Sequence, residues 1–195
     1  LSAQNNYVGI VDLLIKNSAN PNLVSYEGYS ALHCACMNDN ENIVKILLNL
    51  DVNVNHQDKD GDTPLIITAK KGFKNIVKLL LKSNQVDLNI QNNQGDSALM
   101  LASYFNHLGV VKLLVEGGAD LHLTSKEGYY ALDFSFKKGN RVQDIFTSNF
   151  KEGQSGNLIL LKSLFLFNQL TAFLNPIKLP PFSIQFFKFL RVFLL

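Results

Sequence analysis

Apolar residues recur along this chain in bursts with helical spacing. One burst holds Ile43, Val44, Ile46, Leu47 and Leu48, and the next holds Ile76, Val77, Leu79, Leu80 and Leu81. Spacings of three and four bring such residues onto one face, so each burst predicts an amphipathic helix. Ahead of each lies a shorter helical segment opened by a hydroxyl residue: Ser30-Ala31, Thr63-Pro64 and Ser97-Ala98. The hydroxyl can cap exposed backbone N–H groups, and proline is pre-set for a first helical turn. Small residues at Ala35, Ala69 and Ala102 predict that this first helix presses closely on its neighbour. Polar turns such as Gln57-Asp58-Lys59-Asp60-Gly61 separate the helix pairs, and their glycines can take the positive φ of a tight hairpin.

The pattern is a repeat. GYSALHCACMNDNENIVKILLN from Gly28 aligns with GDTPLIITAKKGFKNIVKLLLK from Gly61, GDSALMLASYFNHLGVVKLLVE from Gly95 and GYYALDFSFKKGNRVQDIF from Gly128. The glycines stand 33, 34 and 33 residues apart, with one inserted residue near Gln85 accounting for the longer interval. Upstream, YVGIVDLLIKNSANPNL matches the second half of the same unit, with Ile10 lying 33 residues before Ile43. The units are therefore a partial one over 1–27, full ones over 28–60, 61–94 and 95–127, and a degenerate one over 128–149.

A period of about 33 with T-P-L, small residues and then I-V-K-L-L-L resembles the ankyrin repeat. The resemblance covers residues 1–149 and implies an all-α repeat solenoid of ankyrin-type helix-turn-helix units joined by β-hairpin loops. The histidine of the T-P-L-H signature is present only at His33; Ile66, Met100 and Asp133 replace it elsewhere. The last unit reads KKGNRVQDI where an apolar helix is expected, which suits a terminal cap or a decaying repeat. Leu1 falls within a first helix, so the chain reads as part of a longer array.

Charge divides the chain. Residues 1–149 hold 13 Lys/Arg against 15 Asp/Glu, and from Phe150 onward 5 basic residues face Glu152 alone. Neither part has the dense basic patch that would neutralise many phosphates, so nucleic acid is not expected as a partner. The tail over 150–195 contains the apolar runs LILLKSLFLF and FSIQFFKFLRVFLL, each broken by polar or charged residues. Neither is an unbroken stretch of ~20 apolar residues, as a spanning helix requires. Three readings stay open for it: a basic amphipathic segment on a membrane surface or over the end of the array, a weak membrane anchor, or translated non-coding sequence.

No catalytic or cofactor motif is evident. Cys34 and Cys36 point about 200° apart on a helix and cannot pair, which fits a reducing compartment. The cytoplasm is the expected location, with the nucleus as alternative, and no signal peptide is read. Neither cysteine has the partners of a zinc site. His33, His56, His107 and His122 fall in separate repeats and read as structural, His33 satisfying groups near its own turn. Asp58, Asp60 and Asp62 alternate like a calcium loop, but Pro64 and an apolar helix follow, so a hairpin is the better reading. No metal, cofactor or catalytic residue is therefore assigned, and the chain is not expected to be an enzyme.

The ankyrin resemblance implies a protein-recognition module, expected to be a monomer, whose partner meets the hairpin tips and the exposed side of the first helices. Those positions are Tyr26, Glu27, Tyr29, Met37 and Asn38 in one unit, then Lys59, Asp60, Asp62, Lys70 and Lys71. Asn93, Gln94, Asp96, Tyr104 and Phe105 follow, then Lys126, Glu127, Tyr129, Lys137 and Lys138. Aromatics among them suit binding hot spots, although Phe105 or Tyr129 could equally pack on a neighbouring repeat. The family also has asparagines hydroxylated in a D-x-N setting, which Asp87-Leu88-Asn89 matches; the plain alternative is that Asn89 bonds the hairpin backbone. Two other readings accompany the recognition module: the ankyrin region of a larger enzyme or channel, and a membrane-tethered ankyrin protein.

Overall fold

Ser30, Thr63 and Ser97 each turn extended backbone into a helix in the same way. Their side-chain oxygens accept the backbone N–H of His33, Ile66 and Met100 respectively, at 3.3, 3.2 and 3.3 Å. The computed structural model describes Leu1–Phe136 and Ile145, all within one unit, Leu1–Asn149. Its helices are α1 (Val8–Lys16), α2 (Ala31–Met37), α3 (Glu41–Leu48), α4 (Pro64–Lys71), α5 (Lys74–Lys82), α6 (Ala98–Tyr104), α7 (Leu108–Glu116) and α8 (Ala131–Phe136).

The first helices stack in one row, α2 on α4 on α6 on α8, and the second helices in another, α1 on α3 on α5 on α7. Within a unit the two rows meet as α2 on α3, α4 on α5 and α6 on α7. Leu47, Leu80 and Leu114 occupy one equivalent position and retain 2%, 0% and 0% of their exposure. The architecture is the all-α repeat solenoid.

One expectation needs a change of register. Ala35 and Ala102 are matched by Thr68, while Ala69 is matched by Cys36 and Ser103; all six are fully buried. Threonine is tolerated at the tight contact because its hydroxyl is satisfied inside its own helix, donating to the carbonyls of Pro64 and Leu65 at 3.0 Å.

The link between the two helices of a unit is equally regular. Asp39, Gly72 and Asn106 take positive φ. The next residues, Asn40, Phe73 and His107, donate their N–H back to Ala35, Thr68 and Ala102. Such a bond spans five residues and closes the helix end in the manner of a Schellman motif. Lys74 and Leu108 then donate to Gly72 and Asn106 two residues earlier, an inverse γ-turn into the second helix. Asn6 and Tyr7 repeat the arrangement, so Leu1–Asn6 is equivalent to the end of a first helix.

The hairpins are shorter than the word suggests. No strand occurs among the described residues, only the isolated bridges Gln91–Ser97 and Thr124–Tyr130. Each tip is a single turn, closed for instance by Asp58 N donating to Asp62 O at 3.0 Å and Asn92 N to Asp96 O at 3.0 Å. Gly95, with φ +79°, shows why glycine recurs there: an added Cβ would come within 2.6 Å of the backbone nitrogen of Lys126 in the next tip.

Candidate functional site

The tips are held as a continuous ladder. Lys59 N donates to Glu27 O at 3.1 Å, Asn93 N to Asp60 O at 2.9 Å, and Lys126 N to Gln94 O at 3.0 Å. Asp58 Oδ1 accepts the N–H groups of Asp60 and Asp62, both at 2.9 Å, so this carboxylate shapes its own turn and the calcium-like spacing is hairpin chemistry. Among the described residues no group of three His, Cys, Asp or Glu is placed to hold a metal.

A second ladder runs behind the tips. Asn22 accepts Asn53 N and donates to Asp51 O; Asn55 accepts Asp87 N and donates to Gln85 O. Asn89 continues it, accepting Asp120 N at 2.8 Å. Asn89 is exposed, and its side chain bonds the neighbouring repeat's backbone.

The histidines bridge repeats too. His33 Nδ1 accepts the backbone N–H of Ser30 at 3.3 Å, which leaves Nε2–H to donate to Asp62 O at 3.1 Å. Nε2 of His56 bonds Gly28 O, and Nε2 of His107 bonds Lys70 O. Burial lowers the pKa of His33. Burial also raises those of Asp62 and Asp96; among nearby charges, carboxylates push the same way and Lys70 opposes them.

The residues expected to meet a partner fall into three settings. At the first tips, Tyr26 is 88% exposed, and Lys59 Nζ sits 3.2 Å from its ring centroid and 3.7 Å from a Glu27 oxygen. Asp60, Asn93 and Lys126 are also exposed, although Asn93 is tied down by donating to Lys59 O. Tyr29 is half-buried, with its ring tilted against His33.

On the first-helix face, Met37 is half-buried while Lys70 and Lys71 are exposed. Tyr104 and Phe105 follow, edge to face at 5.0 Å. Phe134 joins them, 5.8 Å from Tyr104 and 5.8 Å from Tyr129, making one aromatic cluster across the last two described units. Phe134 was not singled out by sequence, yet its place in the repeat, after Cys34, Ile67 and Leu101, could have marked it. Lys137 and Lys138 lie outside the described residues, as does the tail over 150–195.

A helical repeat solenoid with one continuous face of tips and first helices defines a class of protein built for stacking rather than around an enclosed pocket. A family model described as ankyrin repeats (3 copies) matches residues 1–58 and 50–125. The chain belongs to the ankyrin repeat family. It is also similar to the protein glp-1 of Caenorhabditis elegans, 44% identical over 55 residues that make up 28% of this chain and 4% of that protein. The chain thus spans only a small part of that relative's length. Ankyrin repeats are generally protein-interaction modules and typically non-catalytic. Among the described residues no helix is long and apolar enough to cross a membrane.

Proposed function

We propose that this chain is a non-catalytic protein-recognition module whose partner sits on the hairpin tips and the exposed side of the first helices. The observation that carries this reading is the cluster of Tyr104, Phe105, Tyr129 and Phe134 on that face. Its rings remain partly open to solvent, and Phe105 is 40% exposed. Aromatic side chains bury large area with little rotamer entropy lost, so they anchor interfaces. The two ladders add preorganisation, because they fix the tips before a partner arrives. Cys34 and Cys36 are both free, which agrees with a reducing compartment, and we place the chain in the cytoplasm.

The test is amide-exchange footprinting on the intact chain with a captured partner. Protection should gather on 58–62, 92–96, α4 and α6. Protection confined to α3, α5 and α7 would refute the assignment. A second reading, that the module serves a larger protein, draws on the small share of glp-1 that the matched segment covers.

A further inference from the structure

We infer that the first-helix face takes an amphipathic α-helix whose apolar stripe is flanked by basic residues on one side and acidic residues on the other. The inference rests on the recognition reading above and names the chemistry of the partner.

The repeat sets one apolar row along this face, and α4 with its neighbouring tips adds a charged edge on either side. Cys34, Ile67, Leu101 and Phe134 occupy one equivalent position of α2, α4, α6 and α8 and form an apolar floor. Asp60, Asp62 and Asp96 stand at the tips, where the helices begin, and Lys70 and Lys71 close α4. In α4 the lysines at the helix end suit the helix dipole, and Asp62 lies just ahead of the N-cap Thr63; α2 and α6 end without a basic residue. α4 has eight residues, so its two ends lie about 12 Å apart. Among the described residues neither lysine makes an ion pair. Asp62 and Asp96 feel other carboxylates, and Lys70 opposes these electrostatically.

Those dimensions decide the occupant. A helix is about 10–12 Å across with its side chains, close to the length of α4. An extended strand shows two opposite faces only, so it cannot cover the floor and meet both edges at once. A helix presents side chains all round and can do so. Its cations would meet Asp60, Asp62 and Asp96, and its carboxylates would meet Lys70 and Lys71.

Three stapled helical peptides with the same apolar stripe test this: one with Arg on one flank and Glu on the other, one with Arg on both, one with Glu on both. The intact chain should bind the split peptide roughly tenfold tighter than either uniform one at low salt, with the gap closing as salt screens the edges. In Lys70→Glu/Lys71→Glu the ranking should change, the all-Arg peptide becoming tightest. In Asp60→Lys/Asp96→Lys the all-Glu peptide should gain instead. Equal affinities for all three peptides, with exchange protection on α4 and α6, would overturn the charge arrangement while leaving the recognition reading intact. If no stripe-bearing peptide protects that face while a captured partner does, this inference fails and the recognition reading stands; if the captured partner does not protect it either, both fail.

Discussion

Leu80 sits at the centre of the stack with no remaining exposure, between the equivalent Leu47 and Leu114. Truncating such a side chain removes transfer free energy and leaves a cavity, so Leu80→Ala should cost roughly 2–5 kcal/mol, read from the denaturant midpoint. An unmoved midpoint would show that the register is wrong. His33 works by protonation state. Its neutral ring is needed to accept from Ser30 N–H and donate to Asp62 O, and burial holds its pKa below the usual 6.5. The unfolded chain therefore binds more protons once pH falls under that value, so the stability His33 contributes is present above it and lost below. Asp62 and Asp96 act oppositely: with raised folded pKa values, their contribution is present below 3.8 and is lost as pH rises through the folded values. The diagnostic quantity is thus a difference: the stability gap between wild type and His33→Gln should shrink from about pH 7.5 to about pH 5.5. A gap independent of pH would remove the histidine from the account. At this scale the repeat period alone made the leucines legible. Thr68 was not, because its hydroxyl looks out of place until its bonds within α4 are seen.

Between elements, coupling is carried by side chains that bond a neighbour's backbone. Asn55 accepts Asp87 N and donates to Gln85 O, both at 2.9 Å, tying successive units together. Asn55→Ala would remove both bonds at an exposed site that water can reach, at a cost of ~0.5–1.5 kcal/mol. The Asp87 amide should then exchange faster than in the wild type, more so than amides within α4. Equal acceleration at Asp87 and within α4, or no change at Asp87, would argue against the ladder. Sequence reasoning singled out only Asn89 of this ladder and read it as bonding the hairpin backbone, which is half of its role. The other half depends on which residue of the next unit lies alongside, and a bond across 32 residues has no local signature. The same limit hid the γ-turn connectors, where Asp39, Gly72 and Asn106 share a backbone conformation and no side-chain type.

For the whole molecule, each helix packs mainly on its neighbours in the two rows, so stability should behave as a sum of units and their interfaces. The helix pairs and their order were readable because the apolar period survives from unit to unit. The binding face was readable only as the family's expectation; the structure adds Phe134 and gathers Tyr104, Phe105 and Tyr129 around it. The central claim is that this face, and not the opposite one, engages the partner. Its most direct test compares two double variants in quantitative capture from cell extract: Tyr104→Ala/Phe105→Ala, and Lys45→Ala/Lys78→Ala on the exposed side of α3 and α5. Both should keep the wild-type helical signal. The aromatic pair should lose the captured partner, a deficit of about 2 kcal/mol or more for each hot-spot ring, while the lysine pair should retain it. Loss of the partner with the lysine pair, alongside full retention with the aromatic pair, would contradict the account.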